Sequence, residues 1–256
     1  MPAKTFVSNI LENTKVDENI YRMVVENGGI KPQPGQFYMV RSHGPFPFLG
    51  RPISVNDAND STVTFLFEVR GEGTKILSQL RPQDQVELIG PLGNGFDTQN
   101  IHGKVAIVCG GIGVAPMIYT AKCLKGCTVD FFAGFRDHSY QMDAVADCTN
   151  IIKVSTDNGN EGHKGFVTEL LNVADYDVVL ACGPEIMMKK LAAVCQQKKV
   201  KCYVSLERHM ACGIGACLGC TCHTVKGAKC VCKDGPVFCA EEVMCDAENR
   251  DKRCCV

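Results

Sequence analysis

Four cysteines, Cys212, Cys217, Cys220 and Cys232, stand within the stretch Met210–Phe238, MACGIGACLGCTCHTVKGAKCVCKDGPVF. The first three follow C-x4-C-x2-C, the spacing that holds a plant-type [2Fe–2S] cluster whose fourth thiolate arrives later in sequence. Gly213, Gly215 and Gly219 let such a loop bend tightly and turn its N–H groups toward the sulfurs. Those donors offset the charge of a thiolate-held cluster and tune its potential. Structural zinc instead uses C-x2–4-C pairs with a longer spacer between them, closing a tetrahedron. Three thiols in one glycine-rich loop fit iron–sulfur better than zinc. By spacing alone Cys222, Cys230 and Cys232 are all candidates for the fourth ligand.

Three further pieces have phosphate-binding or flavin-binding chemistry. In Arg51-Pro52-Ile53-Ser54 the arginine can fork onto a diphosphate, and the hydroxyl three positions on can donate toward a ring nitrogen. Gly71-Glu72-Gly73-Thr74 leads into KILSQL, a short helix whose free N–H groups make a seat for phosphate, with Thr74 as a candidate N-cap. Gly110-Gly111-Ile112-Gly113-Val114-Ala115-Pro116 follows the apolar run KVAIVCG. Its glycines allow backbone to approach a dinucleotide diphosphate at a helix start, where Pro116 suits the first turn. Gly90–Phe96, GPLGNGF, reads as the loop that ends the first domain. The second strand of the later domain ends in Arg136-Asp137. An arginine suits a 2′-phosphate and an acid a free 2′-hydroxyl, so NAD and NADP stay open on these residues.

The elements needed to position these loops are legible in the patterning. Candidate strands at Lys4–Leu11, Ile20–Val25, Gln36–Arg41, Ile53–Asn56, Thr62–Val69 and Gln85–Ile89, punctuated by turn residues, predict an antiparallel Greek-key barrel. After Gly103 strands alternate with helices at Pro116–Leu124, Val167–Val173 and Pro184–Lys198, which predicts a parallel sheet covered on both faces. The expected fold class is a β barrel plus an α/β domain and a small cysteine-rich domain, with boundaries at 1–99, 100–206 and 207–256. Cys239–Val256 reads as a solvated terminus.

Composition narrows the function classes. The chain has 256 residues, 45% apolar and 21% charged, with net charge −1. That is globular and gives nucleic acid no electrostatic attraction. Val105–Ala121 is uncharged but shorter than the ~20 residues a membrane span needs. Seventeen cysteines without an apolar leader point to thiols kept reduced in a cytoplasm. The six histidines lack metal-ligand spacing, and no Ser-His-Asp or paired-carboxylate arrangement is present. Chemistry must therefore come from cofactors that the protein positions.

Taken in order, RPIS, GEGT and GPLGNGF resemble the FAD domain of the ferredoxin-reductase superfamily. CGIGACLGCTCH followed by VCKDGPVF resembles the cluster region of the electron-transfer subunits of dihydroorotate dehydrogenase B. The resemblance implies that Cys232, just before x-DGPVF, is the fourth cluster ligand. It implies Arg51 and Ser54 on the FAD diphosphate and isoalloxazine, Leu66-Phe67-Glu68 lining that cofactor, Gly73 and Thr74 on phosphate, and Cys182-Gly183 beside the nicotinamide. NAD is then the expected dinucleotide. The expected partner is an FMN-containing catalytic subunit that oxidises dihydroorotate, two copies of each forming a heterotetramer. Electrons would pass through the [2Fe–2S] cluster and FAD to NAD+. Competing readings are a diaphorase subunit of a sulfide dehydrogenase or hydrogenase, and a zinc-bearing interaction module with no flavin.

Overall fold

The computed structural model describes residues 3–243, so the segment 244–256, with the last cysteines of the chain, lies outside the described residues. Six strands, β1 (Lys4–Asp17), β2 (Ile20–Glu26), β3 (Phe37–Ser42), β4 (Arg51–Ala58), β5 (Thr62–Glu68) and β6 (Gln85–Leu92), close an antiparallel barrel in the order β1-β2-β5-β4-β3-β6. Alternation sends Ile53, Val55, Val63 and Phe65 into its buried interior. On the opposite face Asn56 and Leu66 are buried against the sheet domain, while Pro52 and Ser54 keep some exposure. Helix α1 (Glu72–Gln79) follows β5.

Strands β7 (Lys104–Gly110), β8 (Thr128–Phe135), β9 (Ile151–Thr156), β10 (His163–Lys164), β11 (Val178–Cys182) and β12 (Lys201–Ser205) form a parallel sheet in the order β10-β9-β8-β7-β11-β12. Helix α2 (Val114–Cys123) covers one face, against Val105, Ile107 and Phe131. Helix α3 (Glu185–Lys198) covers the other, against Ala106, Val108 and Val179. The helix expected at Val167–Val173 is instead two single 3-10 turns, Val167–Glu169 and Val173–Asp175. Val167 and Val173 are buried in the sheet's cover, so apolar spacing there reflects packing of a loop rather than a continuous helix.

The remainder forms a two-stranded hairpin, β13 (Thr221–Thr224) and β14 (Gly227–Cys230). A single turn α4 (Val231–Asp234), strand β15 (Val237–Cys239) and a short helix α5 (Ala240–Val243) follow. Strand β15 joins β12 antiparallel at the edge of the sheet, with Val204 opposite Phe238. Ordered structure thus continues past Cys239, where the sequence suggests a solvated terminus, and Ala240 and Val243 are buried. No helix among the described residues is long and apolar enough to cross a membrane.

Barrel and sheet are joined through α2. Tyr119 donates to the Pro32 carbonyl at 3.1 Å, Lys122 pairs with Asp57 at 2.6 Å, and the buried Asn56 amide donates to the Ala115 carbonyl at 3.1 Å. Deleting the last of these strands a buried acceptor, which costs about 1–3 kcal/mol. Asn56→Ala is therefore expected to lower the thermal unfolding midpoint. An unchanged midpoint would show that water replaces the bond.

Candidate functional site

In the cysteine loop the sulfurs occur as two pairs. Cys212 accepts from the Cys217 N–H at 3.4 Å and Cys217 accepts from the Gly219 N–H at 3.5 Å. At the other end Cys220 accepts from the Cys232 N–H at 3.4 Å, and Cys232 accepts from the Gly215 N–H at 3.0 Å. The first pair lies toward solvent, with Cys217 exposed, whereas Cys220 and Cys232 are each 2% exposed. Burial works to raise the Cys212 thiol, but the N–H groups of Cys217, Ile214 and Ala216 outweigh it and hold the thiol at about 6. Burial and the neighbouring Cys220 push Cys232 up to about 12, against the Gly215 N–H. Among the described residues no three His, Cys, Asp or Glu side chains gather at single-ion distance. Two thiol pairs joined by a donor-rich loop suit a two-iron cluster, in which each iron takes two thiolates and backbone N–H groups neutralise the sulfurs.

The loop can adopt this shape because Gly213 and Gly215 have φ of +71° and +79°, a region closed to most side chains. A Cβ at Gly213 would also strike the Met39 side chain at 2.5 Å. Met39 is on β3 opposite Pro52, so the cysteine loop rests on the barrel beside the RPIS strand. The competing cysteines are placed differently. Cys222 is buried on β13, and Cys230 ends β14 with its sulfur 3.9 Å from the Thr221 hydroxyl.

Around the barrel, Pro52 and Ser54 face outward on β4 while Ile53 is buried in the core. The Arg51 guanidinium lies directly against Gly73, so close that a Cβ there would overlap Nε. This brings Arg51 to the first turn of α1, whose N–H groups have no intrahelical acceptors. The two candidate phosphate-binding elements are thereby gathered into one place. Gly71 caps the helix and Thr74 is its third residue, so the helix starts about one turn earlier than the Thr74 N-cap suggested by the sequence. The Thr74 hydroxyl donates to the Gly71 carbonyl at 3.1 Å and accepts from the Arg70 N–H at 3.0 Å. On β5, Leu66 and Phe67 lie on opposite faces. Leu66 packs toward the sheet domain, while Phe67 packs in the barrel core and stacks on Tyr21 at 6.1 Å. Glu68 bonds Arg70 at 2.7 Å, and Arg70 reaches Glu207, beyond β12, at 3.9 Å. Arg70 and Glu207 carry no sequence signal of this bridge.

At the centre of the parallel sheet the chain order reverses between β7 and β11, where α/β sheets bind ligands at strand carboxyl ends. Both glycine loops meet there. A Cβ on Gly113 would overlap the Cys182 carbonyl oxygen, and one on Gly183 would lie 2.8 Å from the Gly110 nitrogen. Gly110 is likewise closed by Pro184 at 2.7 Å, but nothing lies within 4 Å of a Cβ on Gly111. The Gly111 backbone is thus free for a ligand to approach. Burial pushes the Cys182 thiol up to about 12, opposed by the Ser205 hydroxyl and reinforced by Glu207. Cys182 is therefore held as a neutral thiol at the carboxyl end of β11.

Asn94 of the GPLGNGF loop, which in the sequence ends the barrel and forms part of the FAD-domain resemblance, bonds the segment that carries Cys232. Its Nδ2 donates to the Lys233 and Asp234 carbonyls, both at 3.1 Å.

Comparison with known proteins gives consistent results. The family model for the iron–sulfur cluster binding domain of dihydroorotate dehydrogenase B matches residues 207–244. The chain is 51% identical over 244 residues to the dihydroorotate dehydrogenase B (NAD(+)) electron transfer subunit of Clostridium acetobutylicum, covering 95% of this chain and 99% of the relative. It is 49% identical to the subunit of the same name from Clostridium perfringens, with 95% and 99% covered. Among solved structures, it superposes with TM-score 0.82 and 30% identity on a chain of an NADH-dependent reduced ferredoxin–NADP oxidoreductase studied for flavin-based electron bifurcation, covering 92% and 89%. A ferredoxin reductase of carbazole 1,9a-dioxygenase shares the fold at TM-score 0.65 and 17% identity, covering 78% of this chain and 66% of that one.

Proposed function

The chain belongs to the family of electron-transfer subunits of NAD-dependent dihydroorotate dehydrogenase B, and from that premise we propose the roles of its individual residues. The protein works with FAD, a [2Fe–2S] cluster and NAD, and its partner is the catalytic subunit of the same enzyme. When bound, the cluster carries single electrons from the FMN-containing catalytic subunit, and FAD joins two of them into the hydride that NAD+ accepts.

Cys212 and Cys217 hold one iron and Cys220 and Cys232 the other, a division supported by the two thiol pairs and their N–H donors. Arg51 and the first turn of α1, at Gly73 and Thr74, hold the FAD diphosphate. Pro52, Ile53 and Ser54 set the strand against the isoalloxazine, with Ser54 donating to it, and Leu66 and Glu68 border the same cleft. Phe67 supports that wall from inside the barrel. Gly110, Gly111 and Gly113 cradle the NAD diphosphate, while Cys182 and Gly183 border the nicotinamide. These assignments divide the chain into an FAD domain (1–99), an NAD domain (100–206) and a cluster domain (207–256).

Ile214 and Leu218, 56% and 63% exposed, flank the exposed Cys217. That apolar rim supports the loop as the face covered by the catalytic subunit. Free thiols throughout the described residues support a reducing, cytoplasmic setting. The single observation that carries the reading is the pairing of four sulfurs, three of them in a loop that rests on the FAD barrel and the fourth on α4.

The test uses anaerobically purified chain without its partner. It is expected to contain iron, acid-labile sulfide and FAD, to reduce an artificial acceptor with NADH, and to leave dihydroorotate untouched. Oxidation of dihydroorotate by the isolated chain would overturn the division of roles.

A further inference from the structure

Cys232 is the second residue of α4, a single turn that cannot fix its own position. A turn this short leaves its C-terminal carbonyls unpaired, and such groups need outside donors. Here the donors come from the loop that follows β6, far away in sequence. Beyond the two amide bonds to Lys233 and Asp234, the Asn94 N–H donates to the Gly235 carbonyl at 2.5 Å. The Val237 N–H returns a bond to the Asn94 carbonyl at 3.4 Å. Gly93 makes the approach possible: its φ is +73°, and a Cβ would stand 2.5 Å from the Gly235 oxygen and 2.6 Å from Pro236 Cδ.

The same ladder extends back to the flavin side of the barrel. Phe37 on β3 pairs with Ser54 across one edge and with Leu92 across the other. Its ring edge lies 3.1 Å from where a Gly93 Cβ would stand. From Ser54 through Phe37 and Leu92 to Asn94 and α4, backbone pairing and packing are continuous.

We propose that Gly93 and Asn94 of the FAD domain are positioning residues for the [2Fe–2S] cluster, fixing the α4 turn so that the Cys232 sulfur is held against the Gly215 N–H. This rests on Cys232 being the fourth ligand. The barrel loop then sets both the strength of cluster retention and the alignment of the buried thiol pair with the flavin domain. It does so although Asn94 itself is a surface residue that touches no cofactor.

The test loads full-length protein with cluster and FAD anaerobically. Asn94→Asp keeps the side-chain shape but turns acceptors toward the two carbonyls, while Gly93→Ala wedges the loops apart. Outer-shell partners of metal ligands typically contribute about 10- to 100-fold in metal retention. Both variants are expected to lose iron to a chelator faster by that factor, to shift the g-values of the dithionite-reduced cluster, and to keep wild-type flavin content. Asn94→Asp with unchanged iron-loss rate and unchanged spectrum, alongside a Cys232→Ser that loses its cluster, would overturn the proposal alone. Cys232→Ser that retains its cluster would instead overturn the ligand assignment, and the proposal with it.

Discussion

Cys232→Ser is expected to yield a yellow protein without a cluster, whereas Cys230→Ser retains both flavin and cluster. The two cysteines are separated by one residue, so hydropathy and spacing treat them alike; their surroundings do not. Cys232 has 2% exposure, receives the Gly215 N–H at 3.0 Å and presents its own N–H to Cys220. Cys230 ends a strand, its N–H taken by Asp234 at 2.7 Å and its sulfur beside the Thr221 hydroxyl. Removing a ligand thiolate is expected to exceed the ~10- to 100-fold penalty of losing an outer hydrogen-bond partner. Iron and acid-labile sulfide should therefore fall to background in Cys232→Ser after gel filtration. Flavin absorbance should persist, because Arg51 and the first turn of α1 do not depend on this residue. The assignment is wrong if Cys230→Ser is the variant that loses iron while Cys232→Ser keeps it.

The contrast shows where sequence was sufficient and where it was not. Strand alternation and glycine-rich turns place the six barrel strands, and the change of period after Gly103 marks the parallel sheet, because both signals are local. The C-x4-C-x2-C loop is local too, but only Cys212 and Cys217 are hydrogen-bonded to each other within it, and Cys220 is hydrogen-bonded to the distant Cys232. What escapes is set by contacts distant in sequence. Asn94 and Asp234 are 140 residues apart, and nothing in GPLGNGF announces that its amide will grip another domain. Strand β15 has three residues, too few for a periodic signal, and forms by pairing with β12. The Val167–Val173 segment errs in the opposite direction. Val167, Leu170 and Leu171, at i, i+3 and i+4, mimic a helical face although the segment is only two short turns.

Gly111→Ala is expected to separate ligand approach from folding in a way that Gly113→Ala cannot. At Gly113 a methyl group would overlap the Cys182 carbonyl, so the ends of β7 and β11 must move apart. Backbone at two strand ends gives way less easily than a flexible side chain, so that variant should lose stability and dinucleotide binding together. Gly111 presents the opposite situation. Its φ is +54°, and a Cβ meets nothing within 4 Å. The folded-state cost is then the ~1–2 kcal/mol of a left-handed alanine, a cost that the surrounding buried sheet can absorb. The methyl group, however, projects into the open space proposed above for the diphosphate. Hydrogen bonds to charged groups contribute about 1.5–3 kcal/mol each, so displacing a diphosphate from two backbone donors corresponds to roughly a 10²- to 10⁴-fold rise in KM for NADH. The dithionite-reduced spectra of FAD and cluster should stay at wild type, because the residues proposed to hold them lie on other loops. A Gly111→Ala protein with wild-type KM would place the dinucleotide elsewhere on the sheet, away from the β7–β11 reversal.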